Sequence, residues 1–361
     1  MAALALPGLT GAVSALAESS PESTVLSYKQ LYYSDYQKGL KRITVNAPSL
    51  YVMVPIGEKW SIDGSAVLDS VSGASPRYHT VVSGASRMED SRTAFDTHLT
   101  HYRERSAYSI SYSNSREHDY ASNAGSLDAR FSTDDNNTTF NIGAGASFDK
   151  INPTNNIVTN ARKNSRQYIA GITQALTSLD LVQLQLGYAT GNGYFNDAYK
   201  TYDNRPTQRN QDTAVLRWNH HVEDSGTTFR TSYRYYRDSW KVRAHTLGID
   251  WAQAAFQDFV FTSSLNYYSQ SSASFYIDPP PGGGLPAIPP GMYSSLDQRL
   301  SAFGALSFSQ KVEWNISNWW TVDLKGEFYQ QRSEWRLGGK GSPGLDPFNF
   351  YAIQLGFTHR F

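Results

Sequence analysis

Charged residues of both signs recur at alternate positions in segments whose intervening positions are apolar. Asp323 and Lys325, for example, sit between Val322, Leu324 and the aromatic Phe328. The same pattern puts Asp63, Asp69, Asp96, Asp128, Asp149, Asp250, Asp323 and Glu327 on one kind of face, together with Arg130, Arg217, Arg230, Arg234 and Lys325. The cations bunch between 209 and 239, while the carboxylates lie mostly elsewhere. If such faces enclose water, opposed charge creates a transverse field that orients polar solutes. The alternative is a ladder of salt bridges filling a narrow interior. Other chemistry is poorly supported. His98 would lie near Asp96, His101 on the opposite face, and the adjacent His220 and His221 on opposite faces, so no metal-ligand spacing emerges. Asn219-His220 beside a serine of a neighbouring strand is the least poor hydrolase constellation, and no motif marks its nucleophile. Gly143-Ala144-Gly145 and Gly191-Asn192-Gly193 open no helix and read as strand glycines, with no phosphate cradle. No cofactor is implied.

These residues need strands to position them. From Thr24 onwards there are about sixteen alternating segments, each long enough for the roughly 9–11 residues of a tilted membrane strand. The spans are 24–36, 41–56, 59–70, 91–103, 105–117, 124–133, 137–150, 163–176, 180–192, 209–221, 226–239, 243–255, 258–273, 294–314, 318–335 and 347–361. Alternation is clean where Phe140, Ile142, Ala144, Ala146 and Phe148 oppose Asn141, Gly143, Gly145, Ser147 and Asp149. In the final segment Tyr351, Ile353, Leu355, Phe357, His359 and Phe361 share a face opposite small and polar residues. That strand, ending on Phe361 with Phe357 behind it, resembles the signal by which outer-membrane barrels are recognised by their assembly machinery. Joins after even-numbered segments are short. Long ones (71–90, 151–162, 193–208, 274–293 and 336–346) follow odd-numbered segments. A sandwich has no reason to sort its loops by parity; a barrel with both termini on one side does. The expected fold is therefore all-β, a single antiparallel transmembrane β-barrel of about 16 strands with short periplasmic turns and longer extracellular loops.

Composition agrees. The chain has 361 residues, 24 Tyr, 8 Trp, no cysteine, and 32 basic against 32 acidic residues. A zero formal charge gives no reason to expect nucleic acid. Absent cysteine removes thiol catalysis, disulfides and thiolate metal sites. No apolar run approaches the roughly 18 residues of a membrane helix. Residues 1–17, ending in Ala15-Leu16-Ala17, read as a truncated signal peptide lacking its positive n-region, and 18–361 as one barrel domain. Localisation in a bacterial outer membrane follows, with outer-membrane lipid as its surroundings.

The stretch Asp69-Ser70-Val71-Ser72-Gly73-Ala74-Ser75-Pro76, with Ser83-Gly84-Ala85-Ser86, Glu89 and Arg92, resembles a Gram-negative outer-membrane barrel family of unknown function, the domain group numbered three-five-seven-zero. The resemblance implies a neighbourhood of envelope redox chemistry, with a small lipoprotein or a periplasmic redox protein as partner. It assigns no catalytic residue. The repeated Ser-Gly-Ala-Ser suggests that Asp69, Ser72, Gly73, Ala74, Ser75, Ser83, Gly84 and Ser86 form a loop plug folded into or over the barrel mouth. The functional expectation is a pore or conduit for small polar solutes or a partner's cargo. A structural sheath around a lipoprotein, suited by inward Tyr236, Tyr268 and Tyr329, and a rim-site hydrolase are the alternatives.

Overall fold

The computed structural model describes residues 19–37, 39–73, 88–200, 202–280, 287–289 and 291–361. The expected signal peptide and five residues of the expected plug (Ala74, Ser75, Ser83, Gly84 and Ser86) lie outside them. Sixteen strands form a closed antiparallel barrel in which each strand pairs with its sequence neighbours. They are β1 (Val25–Gln37), β2 (Leu40–Ile56), β3 (Trp60–Gly73), β4 (Met88–Arg103), β5 (Ser106–Arg116), β6 (Tyr120–Ser132), β7 (Thr138–Ile151) and β8 (Ala161–Ala175). The second half holds β9 (Asp180–Gly193), β10 (Gln208–Val222), β11 (Thr227–Asp238), β12 (Arg243–Ala255), β13 (Phe259–Gln270), β14 (Phe303–Asn315), β15 (Trp320–Arg332) and β16 (Phe348–Arg360). β16 closes the barrel on β1, in register from Val25↔Arg360 to Gln37↔Phe348.

The apolar pattern is inside-out. Leu127, Ile142 and Phe148 are exposed, whereas Ser111, Ser126, Asn141, Thr173 and Gln183 are buried. In water, each exposed side chain of that size would forgo roughly 1.5–3 kcal/mol of burial. Along strand after strand, that is tolerable only in lipid. A closed barrel also satisfies every ladder hydrogen bond, as hydrocarbon demands. Register confirms the facing: Tyr28, Ile353 and Leu355 are outward, while Ser27, Asp35 and Gln354 line the interior. Six of the 8 tryptophans (Trp60, Trp218, Trp251, Trp314, Trp319 and Trp320) gather near the short-turn end. Trp60 packs on His101 at 4.3 Å and Trp320 on His359 at 4.2 Å between ring centroids. Such amphipathic rings suit an interface between apolar and wet phases.

The connections obey the parity read from the sequence. Turns at the end carrying the termini are tight, and Gly57 and Gly226 supply the positive φ values (62° and 63°) that two of them need. The longer loops, among them 152–160, 194–207, 271–302 and 333–347, all leave from the other end. One strand differs from expectation. The segment from 294 does not begin β14, which starts at Phe303; Gln298–Leu300 forms a single 3-10 turn instead. Asp297 accepts the backbone N–H of Arg299, a local bond that competes with the sheet ladder. Likewise Ser72 and Gly73 belong to the end of β3.

Candidate functional site

Sixteen strands enclose room for water, since about eight already leave an interior that side chains fill. All the lumen residues named from the sequence occupy inward positions of their strands, set by register against outward neighbours such as Leu216, Tyr233, Leu247 and Leu324. Their environments fall into sectors. On β3 and β4 the Asp63 carboxylate meets His98 Nδ1 at 2.8 Å, and Asp96 lies 3.9 Å from the same nitrogen while accepting from Ser65 at 2.5 Å. Asp128 of β6 accepts from Ser126 at 3.4 Å, and Arg130 is engaged nearby on the same strand. Asp69 is paired with Arg92 at 2.5 Å.

Across the barrel the sign reverses. Arg217 of β10 donates to Gln183 at 2.6 Å and to Gln185 at 3.4 Å, which are neutral partners. Arg230 of β11 is exposed to the lumen; Asp250 is its cross-strand partner in register, yet the two form no ion pair among the described residues. Arg234 lies 5.4 Å from the centre of the Tyr236 ring and also has no ion pair there. In a closed ring of sixteen, β3 and β11 are eight places apart and so diametrically opposed. Asp63 and Arg230 each stand three residues in from the short-turn end of their strand. A third sector on β14 and β15 is self-neutralising: Lys325 pairs with Glu327 at 3.0 Å and Lys311 with Glu313 at 2.9 Å. Asp323 is buried there beside Gly356.

Toward the loop end the lumen narrows into packed structure. Asp149 is buried and receives Tyr120 at 2.6 Å, Ser122 at 2.7 Å and Lys163 at 2.9 Å. Elsewhere on the wall a bulge in the β1–β2 pairing brings Arg42 inward, 3.7 Å from Asp35, with both buried. Above these, loops 152–160, 194–207, 271–302 and 333–347 and the turn 239–242 form a cap. Trp240, Val242, Ala273, Phe275 and Leu300 make its apolar centre, joined by Phe195. Asn204 and Ser294 exchange backbone bonds of 2.8 and 2.9 Å between loops 194–207 and 271–302. Ser342 binds Ala302 from loop 333–347, and the Tyr199 hydroxyl accepts from the Thr154 N–H at 3.0 Å.

The cap hides a charge cluster that the sequence did not signal. Asp297, wholly buried, receives Lys200 and Arg205 at 2.8 Å each, and Arg299 as well. Arg205 also pairs with Asp203 at 2.8 Å, and Arg299 with Asp197 at 3.0 Å. Burial alone would push the Asp297 carboxyl up. The cations of Lys200, Arg299 and Arg205 outweigh it and hold that group well below the usual carboxylate range. Asp197, Lys200, Asp203 and Arg205 fall in a segment read as a loop and Asp297 and Arg299 in one read as a strand, and the pairs that join the two segments are remote in sequence.

The other expected chemistries find little here. His220 binds Asp180 at 2.8 Å and packs 5.5 Å from Trp218, on the outward face, with no serine bonded to it among the described residues. Asn219 points the other way, inward with His221. Among the described residues no group of three or more His, Asp or Glu side chains is arranged to hold a metal. The inward tyrosines Tyr236, Tyr268 and Tyr329 lie just beneath the cap, two or three residues from the loop end of their strands.

Comparison places this architecture. A bacterial polysaccharide outer-membrane secretin superposes with a TM-score of 0.52 at 11% identity, covering 94% of this chain and 98% of the secretin. CdiB from Acinetobacter baumannii gives 0.51 at 9% identity, covering 92% of this chain and 60% of that one. At such identities the likeness is one of fold, that of outer-membrane barrels. No curated protein matches in sequence. The family described as "Protein of unknown function (DUF3570)" matches residues 78–352, most of the barrel, and the chain belongs to that family.

Proposed function

We propose that the protein is an outer-membrane conduit for small charged or polar solutes, with its short turns in the periplasm and its cap outside. The observation that carries this reading is the placement of Asp63 and Asp96 opposite Arg217 and Arg230 across a sixteen-strand lumen. Salt bridges filling a narrow core would place these charges side by side. Instead Arg217 and Arg230 form no ion pair among the described residues, and Arg230 is exposed within the barrel. Low-dielectric walls concentrate such a field and orient a dipolar solute as it passes. Porin-like breadth, a polar inner face and a lipid-compatible outer face support the same reading.

Liposome swelling tests it. Vesicles carrying the purified barrel should swell in small sugars and amino acids and stay intact in large dextrans. Vesicles that hold a folded barrel and do not swell in any solute would reject the conduit.

A further inference from the structure

The outer wall concentrates positive charge in one sector near the cap. On β5, β7 and β8, Arg116, Lys150, Arg162 and Arg166 share the outward face with Tyr112, Phe148 and Tyr168, and all four are exposed. Among the described residues none of the four forms an ion pair or a side-chain hydrogen bond, and no acidic residue holds an outward position on β5 to β8. Register makes this grouping costly. Arg116, Ala121, Lys150 and Arg162 form one cross-strand row, in which Lys150 and Arg162 are direct partners. Like charges placed opposite each other destabilise a sheet, and a lipid-facing wall offers little water to screen them. Arg332, outward at the loop end of β15, is the contrast: it donates to Asn349 Oδ1 at 2.9 Å and to Gln331 O at 2.7 Å.

Among these cations the wall is polar and fixed. Asn123 Oδ1 accepts from the Tyr112 hydroxyl and from Asn114 Nδ2, both at 2.9 Å, which leaves the amide N–H groups of the exposed Asn123 for an outside acceptor. Asn164 is exposed in the same cross-strand row. Nearer the turn end the same strands become apolar. Gly125 and Ala146 come first. Beyond them Leu99, Ile110, Leu127, Ala129, Ile142 and Ala144 line an outward groove of ≈ 750 Å³.

We propose that this face binds a phosphorylated glycolipid of the outer leaflet. The four cations take its phosphates, Asn123 and Asn164 its sugar hydroxyls, and the groove its acyl chains. Charge complementarity selects phosphate, because a guanidinium meets phosphate oxygens with paired N–H donors. Arg162 and Arg166 stand roughly 13 Å apart along β8, so a headgroup with two separated phosphates spans what a single phosphate cannot. A basic patch beside a hydrocarbon-facing groove recognises headgroup and chains together. The site rests on the orientation given above, cap outside, and does not depend on an open lumen.

The test is native mass spectrometry of the purified barrel in detergent, mixed with bisphosphorylated lipid A, monophosphoryl lipid A or phosphatidylglycerol. The expected result is a one-to-one adduct with bisphosphorylated lipid A that outlasts adducts of the other two. Arg116→Ala with Arg166→Ala should weaken it about tenfold or more, the usual effect of losing charge-assisted bonds. Arg116→Lys with Arg166→Lys should restore part of the loss, and Arg332→Ala should leave the adduct unchanged. Variants are compared only where boiling still shifts their gel mobility, which certifies the folded barrel. Absence of the adduct, equal retention of phosphatidylglycerol, or an adduct unmoved by the paired alanine replacements would overturn the proposal. A barrel that conducts ions yet retains no lipid A loses this site and keeps the conduit; one that retains lipid A and stays silent in a bilayer does the reverse.

Discussion

Replacing Asp297 by Asn keeps its volume and removes the one charge that three cations share. Lys200 and Arg205 have side chains only 11% and 10% exposed, so water offers them little compensation. Stranding a buried charge costs about 3–5 kcal/mol when its only partner goes. Here each cation keeps a second carboxylate: Asp197 lies 3.5 Å from Lys200, Asp203 2.8 Å from Arg205, and the half-exposed Arg299 keeps Asp197. That trims the expected loss to about 2–3 kcal/mol, or roughly a hundredfold rise in the opened cap population. Hydrogen exchange reads this directly. The amides of Asn204 and Ser294, which tie two loops together, and of Ile277 and Ser295, which close loop 271–302 on itself, should lose about two decades of protection while the strand ladders keep theirs. The pH dependence has a defined sign. A carboxyl held below its unfolded value stabilises at every pH above that value, roughly 4, and its contribution fades only as pH falls through the depressed folded value. Wild-type cap protection should therefore be flat from pH 5 to neutrality, apart from intrinsic exchange chemistry. Unchanged protection in Asp297→Asn would refute the argument that this cluster holds the cap. Simultaneous loss across the strands would refute the view that cap and barrel open separately.

Three further outcomes follow from the geometry. Arg217→Ala with Arg230→Ala leaves Asp63 and Asp96 unopposed and should shift the reversal potential in a salt gradient toward cation preference; an unmoved potential would place the selectivity elsewhere. Deleting Phe361, whose N–H bonds Thr24 O at 3.0 Å, should lower the yield of heat-modifiable barrel in cells several-fold while leaving refolding in detergent nearly intact. Equal losses in both settings would make its role stability rather than recognition. At Gly304 an added Cβ would fall 2.0 Å from the Trp335 carbonyl oxygen, a backbone atom that cannot swing aside. Gly304→Ala should therefore displace the start of loop 333–347 and raise proteolytic nicking there without moving the barrel's melting temperature; intact resistance would contradict it.

Much of the barrel was legible because a period of two leaves no choice about faces. Once Phe357, Leu355 and Ile353 are assigned to lipid, Gln354 and Gly356 must line the interior, and pairing with β1 fixes the rest. Loop parity was legible for a similar reason: chain ends on one side force the connections to alternate. The cap was not. Ser294 to Ala302 alternates well enough to pass for a strand, yet Asp297 binds the backbone of Arg299 and the ammonium of Lys200, a partner almost a hundred residues away. Periodicity carries no information about such pairings. The inward tyrosines lie between these cases. Tyr-x-Asp and Tyr-x-Gln on alternate strands is a visible pattern, but only the closed ring puts Tyr33 and Tyr329 on either side of one Phe350. The charges split likewise. Inward direction followed from alternation, whereas the opposition of Asp63 to Arg230 depends on the number of strands between them.

Single-channel recording in a planar bilayer tests the central claim most directly. The purified barrel, certified as folded by its shift in gel mobility on boiling, should give stable conductance steps of porin size, and Arg217→Ala with Arg230→Ala should change their ion preference. A correctly inserted barrel that stays silent at every voltage would contradict the account, because its lumen would then not be an aqueous path.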